Sequence, residues 1–101
     1  MQRLPPADYT VCASILADKD ADAMLAGLAP AGNRFVATRS SNARALPAEE
    51  LAALAARHFA RVDAVLDPAR ALARAHELGE PVLVTGSLYL LADLAAAEAG
   101  G

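Results

Sequence analysis

Hydrophobic and polar positions along the chain fall into two kinds of segment that take turns. Tyr9-Thr10-Val11-Cys12-Ala13-Ser14-Ile15, Arg34-Phe35-Val36-Ala37-Thr38, the weaker Val62-Asp63-Ala64-Val65-Leu66 and Val82-Leu83-Val84 read as four short strands. The last is apolar without alternation, which requires cover on both faces, as inside a parallel sheet. Between the strands the apolar residues recur at helical spacing. Met24, Leu25 and Leu28 form one stripe; Leu51, Leu54 and Ala55 a second; Leu72, Ala75 and Leu78 a third; Leu91, Leu94 and Ala95 a fourth.

Turn and cap residues punctuate the same alternation. Two prolines, Pro5 and Pro6, make residues 1–8 an extended lead-in, and a domain is expected over 9–101. Ala29-Pro30-Ala31-Gly32 stops the first helix. Pro47 fits the first turn of the second, with Glu49 and Glu50 at its positive end and Arg57, His58 and Arg61 toward its negative end. Asp67-Pro68 caps and opens the third, which Gly79 ends. After the fourth strand, Thr85-Gly86-Ser87 turns the chain into a helix starting at Leu88. The fold class is therefore α/β, with right-handed crossovers joining parallel strands. Short connections make strands one to three neighbours, and the apolar fourth belongs beside the first, giving the order 4-1-2-3.

That order locates any chemistry. In an open parallel sheet the useful crevice lies beyond the carboxyl ends of the strands, where the connection reverses, here between strands four and one. The loops meeting there are Asp18-Lys19-Asp20 and Thr85-Gly86-Ser87. A lysine opposite a serine-capped helix N-terminus can clamp a carboxylate or phosphate. The plainer reading also stands: Lys19 as a solvated loop lysine, Asp20 and Ser87 as caps, Gly86 as a turn.

Composition narrows the field. At 101 residues the chain is one domain, and its 55% hydrophobic content rests on alanine with few aromatics, so a thin core of Val, Leu and Ala is expected. A net charge of −3 with both signs interspersed leaves no basic footprint for nucleic acid or for an anionic membrane. No stretch approaches the ~20 apolar residues of a membrane span, and a soluble, cytoplasmic protein is expected. Cys12 is a lone thiol inside an apolar run, so a buried one. His58 and His76 lack partners at ligand spacing, so no metal site is expected. Neither a nucleophile elbow nor a dinucleotide-binding glycine turn occurs.

Three segments carry a resemblance to a known family. Ile15-Leu16-Ala17-Asp18-Lys19-Asp20, then Ala37-Thr38-Arg39 with Asn42-Ala43-Arg44-Ala45-Leu46-Pro47-Ala48-Glu49-Glu50-Leu51, then residues 82–91, stand in the order and spacing of the C-terminal domain of folylpolyglutamate synthase/dihydrofolate synthase. The chain resembles that domain from about Tyr9 to Ala95. The family belongs to the Mur-type ATP-dependent amide ligases, whose C-terminal domain is a Rossmann-like three-layer sandwich. The resemblance implies ligation of L-glutamate to a folate or dihydropteroate, with MgATP as cofactor of the full-length enzyme. It further implies that Lys19 and Ser87 hold the carboxylates of the incoming glutamate, with Asp18, Asp20, Arg39, Arg44, Thr85 and Gly86 in the supporting loops. For Arg39 and Arg44, anion contact and plain solvation both stand.

The departures from the family shape the remaining expectations. These 101 residues contain no G-x-x-x-x-G-K-[ST] phosphate loop and no Asp-Gly-Ala-His-Asn-Pro segment, nor the strands and helix that flank the latter. Catalytic residues are thus expected elsewhere, MgATP is not expected to bind this chain by itself, and a central P-loop ATPase domain is the implied partner. The truncated sheet would end on the apolar strand 82–85, an edge prone to self-association. A small α/β binding or interaction module without catalysis is the alternative.

Overall fold

The computed structural model describes residues 8–85, so Gly86, Ser87 and the expected last helix lie outside the described residues. Four parallel strands, β1 (Thr10–Ala13), β2 (Arg34–Ala37), β3 (Arg61–Ala64) and β4 (Val82–Thr85), form one sheet in the order β3-β2-β1-β4. This is the expected 4-1-2-3 order read from the other side. The register sets Ala13 beside both Ala37 and Thr85, so the strands end together on one rim. Helices α1 (Ala21–Leu28), α2 (Ala48–Ala55) and α3 (Pro68–Leu78) supply the crossovers.

The helices divide between the two faces of the sheet because alternate strand residues point to opposite sides. Val11 and Ala13 of β1 with Phe35 and Ala37 of β2 pack beneath α1 and α2, around Leu25, Leu51, Ala55 and Phe59. Cys12 and Val36 face the other way, onto Ala71 and Ala75 of α3. Three layers result. The core is less purely aliphatic than composition suggests: both phenylalanines lie in it, with the Phe35 and Phe59 rings 4.9 Å apart and tilted by 44°.

Several boundaries differ from the sequence reading. Pro47 stands at the N-cap, one position before the first turn of α2, and that helix stops at Ala55. Arg61 therefore opens β3 instead of closing α2, and β3 runs over 61–64. Of the expected α3 stripe, Ala75 is buried and Leu78 packs half-buried against the same cluster, while Leu72 gives way to Ala71. Small residues there let the helix backbone approach closely.

Side chains lock the rim where the strands begin. The Arg34 guanidinium donates to the Thr10 hydroxyl (2.7 Å), the Asp8 carboxylate (2.9 Å) and the Asp8 carbonyl (2.7 Å), while Thr10 donates to the Gly79 carbonyl (2.6 Å). Gly79, at φ +156°, ends α3 in a region L side chains avoid, and a Cβ there would come within 3.0 Å of the Arg34 guanidinium. At Gly32 the need is purely steric, since a Cβ would collide with the Tyr9 carbonyl.

Candidate functional site

The rim where the strands end carries the predicted loops. β1 continues through buried Ser14 and Ile15, and Leu16 pairs with Ala45 in an isolated antiparallel bridge. Ala17 N–H donates to the Arg44 carbonyl (2.7 Å) and Leu46 N–H to the Ile15 carbonyl (2.9 Å). The exits of β1 and β2 are thus zipped together. Lys19 N–H closes a turn on the Leu16 carbonyl (3.1 Å), which leaves the Lys19 side chain exposed at the tip. Asp20 then caps α1, accepting from Ala23 N–H at 3.1 Å.

Asp18, Lys19, Asp20 and Arg44 come together at this corner. Arg44 pairs with Asp18 at 3.5 Å, both well exposed, a contact worth ~0–1 kcal/mol. Lys19 has no ion-pair partner among the described residues. Thr85 ends β4 beside Ala13, on the same rim as the Lys19 turn. Gly86 and Ser87 follow it outside the described residues.

Arg39 separates from Arg44. Its guanidinium ties the loop after β2 by donating to the carbonyls of Ala45 (3.3 Å) and Ala43 (3.2 Å), and it lines a cavity of about 770 Å³. That cavity lies between this loop, the end of β3 and the N-terminus of α3, not at Lys19. Ser40, Asn42, Leu66, Asp67 and Arg70 also line it. Sequence reading missed Ser40 and Arg70. One signal was available: an arginine in the first turn of a helix opposes the helix dipole, and Arg70 follows the Asp67 cap by three residues.

Charged groups elsewhere serve packing. Asp22 on α1 accepts from His58 (2.9 Å) and lies 3.4 Å from Arg57, and the His58 bond, then the charges, hold its carboxyl below the usual range. Asp63 is held down likewise, first by the Arg74 hydrogen bond at 2.7 Å and then by Arg61. Burial pushes the Cys12 thiol up to about 11, which makes it a core residue and not a nucleophile. Among the described residues no three His, Cys, Asp or Glu side chains gather as a metal site, and no helix is long and apolar enough to cross a membrane.

A parallel three-layer α/β domain of Rossmann-like order, with its polar loops gathered where the strands end, is the class these features define. Comparison with solved structures bears out the resemblance drawn from the sequence. The chain is similar to Mycobacterium tuberculosis folylpolyglutamate synthase complexed with ADP and AMPPCP, at TM-score 0.78 and 30% identity over 93% of its length. Against the same organism's enzyme complexed with ADP the TM-score is 0.77 and the identity 28%, over the same 93%. The chain spans 24% of the length of each of these structures, an extent that fits one domain of the longer enzyme. No family model and no curated protein matches it.

Proposed function

We propose that this chain is the C-terminal, glutamate-binding part of an ATP-dependent folate–glutamate ligase, acting together with a P-loop domain. The observation that carries the reading is the likeness to folylpolyglutamate synthase along nearly the whole chain. In this reading the Lys19 ammonium and the Ser87 hydroxyl hold the two carboxylates of glutamate, so that its amine meets an acyl group activated on the neighbouring domain. The exposed position of Lys19 on a turn pinned by backbone hydrogen bonds supports this role, because the lysine can reach a ligand without surrendering an ion pair. MgATP acts on the partner domain, and folate or dihydropteroate enters between the two parts.

Mixing the chain with a separately made P-loop domain, MgATP, folate and glutamate tests it. Glutamate-dependent turnover is expected from the mixture and from neither part alone. Lys19→Ala should raise the KM for glutamate about ten-fold or more and leave that for ATP nearly unchanged, since a charge-assisted contact is lost. Two folded parts without turnover at any ratio would favour a non-catalytic binding module. A loss falling on ATP would overturn the role given to Lys19.

A further inference from the structure

Ser40, one of the residues that line the cavity beside α3, has a buried hydroxyl that the fold does not use. Ser40 is 4% exposed, its backbone N–H donates to the Ser14 hydroxyl at 2.9 Å, and its own Oγ has no hydrogen-bond partner among the described residues. An orphaned buried hydroxyl costs stability, so its retention calls for a reason. Ser40 lines the same cavity as Asn42, Arg39 and Arg70; neither arginine has an ion-pair partner among the described residues, although Arg39 also donates to the Ala43 and Ala45 carbonyls. Asn42 uses its Oδ1 to accept from Arg44 N–H (2.8 Å), which turns its remaining polar capacity to donation. The one acid in the wall, Asp67, is engaged in capping α3, with Oδ2 accepting from Arg70 N–H at 3.0 Å. Two arginines against one aspartate leave one net positive charge, and the positive end of the α3 dipole adds to it. Leu66, 71% exposed, joins Val65, Pro68 and Ala43 in the apolar part of the wall, which makes up more of the lining than the polar part does.

We propose that this corner is an oxyanion site separate from the Lys19 turn, taking the carboxylate or phosphate of a small organic acid whose apolar part rests on Leu66 and Pro68. Arg39 and Arg70 donate to the anion, and Ser40 Oγ does so by rotating about its Cα–Cβ bond toward the cavity. The cavity volume is within the range of small-molecule sites. The site does not depend on the ligase reading, because none of its residues is among those assigned to glutamate except Arg39, whose place in the cavity now gives that arginine a different ligand.

Titration of the isotope-labelled full chain with inorganic phosphate, and separately with L-glutamate, at constant ionic strength reads the site through backbone amide shifts. Saturable shifts at Ser40, Asn42, Ala69 and Arg70 are expected with at least one of the two. Saturation by phosphate alone assigns a phosphoryl ligand, and saturation by glutamate alone a carboxylate. Arg70→Glu should weaken binding at least ten-fold, with Arg70→Gln intermediate. Ser40→Ala should weaken it several-fold while leaving the melting temperature of the free chain unchanged or higher, the opposite of what a structural serine would show. Linear, non-saturating shifts with both anions, or saturable shifts that Arg70→Glu leaves intact, would overturn the proposal. Shifts confined to residues 18–20 under glutamate, with only linear shifts under phosphate, would support the Lys19 site and overturn this one.

Discussion

At the rim where the strands begin, Arg34 spends its guanidinium on Thr10 and Asp8, and Thr10 passes its proton to the Gly79 carbonyl, so three segments distant in sequence are joined by side chains. At the rim where the strands end, Lys19, Arg39 and Arg70 have no ion-pair partner among the described residues and the Ser40 hydroxyl is left over. Backbone hydrogen bonds join the strand exits at that second rim, Thr38 to Ala13, Val65 to Ala37 and Leu46 to Ile15, and the side chains of Ser14, Thr38, Arg39 and Asn42 bind backbone groups of its loops. The contrast teaches how one small domain separates two demands. Polar side chains at the first rim tie the strand entries together across the chain, whereas those at the second bind only their local loops and leave Lys19, Arg39 and Arg70 without an ion pair among the described residues.

The sharpest way to break this contrast is Gly32→Ala. Gly32 is in extended backbone, so no conformational penalty applies, but a Cβ would run into the Tyr9 carbonyl just before β1. Backbone cannot yield as a side-chain tip can. A loss of about 3 kcal/mol is expected in urea unfolding, and a loss below 1 kcal/mol would show the entry to β1 to be looser than described. Arg34→Ala comes next, at about 2 kcal/mol, because it removes a charged donor from the fully buried Thr10 hydroxyl. Arg34→Lys should recover only part, since an ammonium cannot fork between Thr10 and Asp8.

A third measurement extends the comparison to pH. Asp63, one-fifth exposed, accepts from Arg74 and Arg61, and its carboxyl is held below the usual range in the folded chain. A depressed folded value means that the stabilisation is present above the ordinary carboxylate range and lost as pH falls through the folded value. Stability should hold from neutrality to about pH 5 and fall from about pH 4 downward. Asp63→Asn should flatten part of that fall and cost about 1 kcal/mol at pH 7. An unchanged acid slope would assign the dependence to the other depressed carboxylate, Asp22.

What could be read before folding and what could not divides along the same lines. Strand order followed from alternation and connection length, which are local properties of the chain. The caps Asp20 and Asp67 followed from residue type. The helix face of α3 followed in part: Ala75 is buried and Leu78 packs at the edge of the cluster as expected, but Ala71 takes the central place that hydrophobic weight gives to Leu72. Arg61 was drawn to the wrong element because a cation after a helix looks like a dipole partner until the strand pairing of Arg61 with Arg34 is known. The separation of Arg39 from Arg44 was hidden for a related reason. Both sit in one polar loop, and only the bridge of Leu16 to Ala45 decides which faces the first strand and which the third helix.

The smallest expected effect sharpens the contrast most directly. Lys19 is exposed, closes its turn through its backbone and pairs with no acid among the described residues, so Lys19→Ala should leave thermal stability within about 0.5 kcal/mol. Arg44→Ala removes only the exposed contact to Asp18 and should cost no more than about 1 kcal/mol. These near-zero values are informative because Arg34, a cation on the opposite rim of the same sheet, is expected to cost several times as much. If Lys19→Ala were instead to lower stability by more than 1 kcal/mol, the lysine would belong with the structural polar groups, and its role in holding glutamate would lose the support that its unpaired state provides.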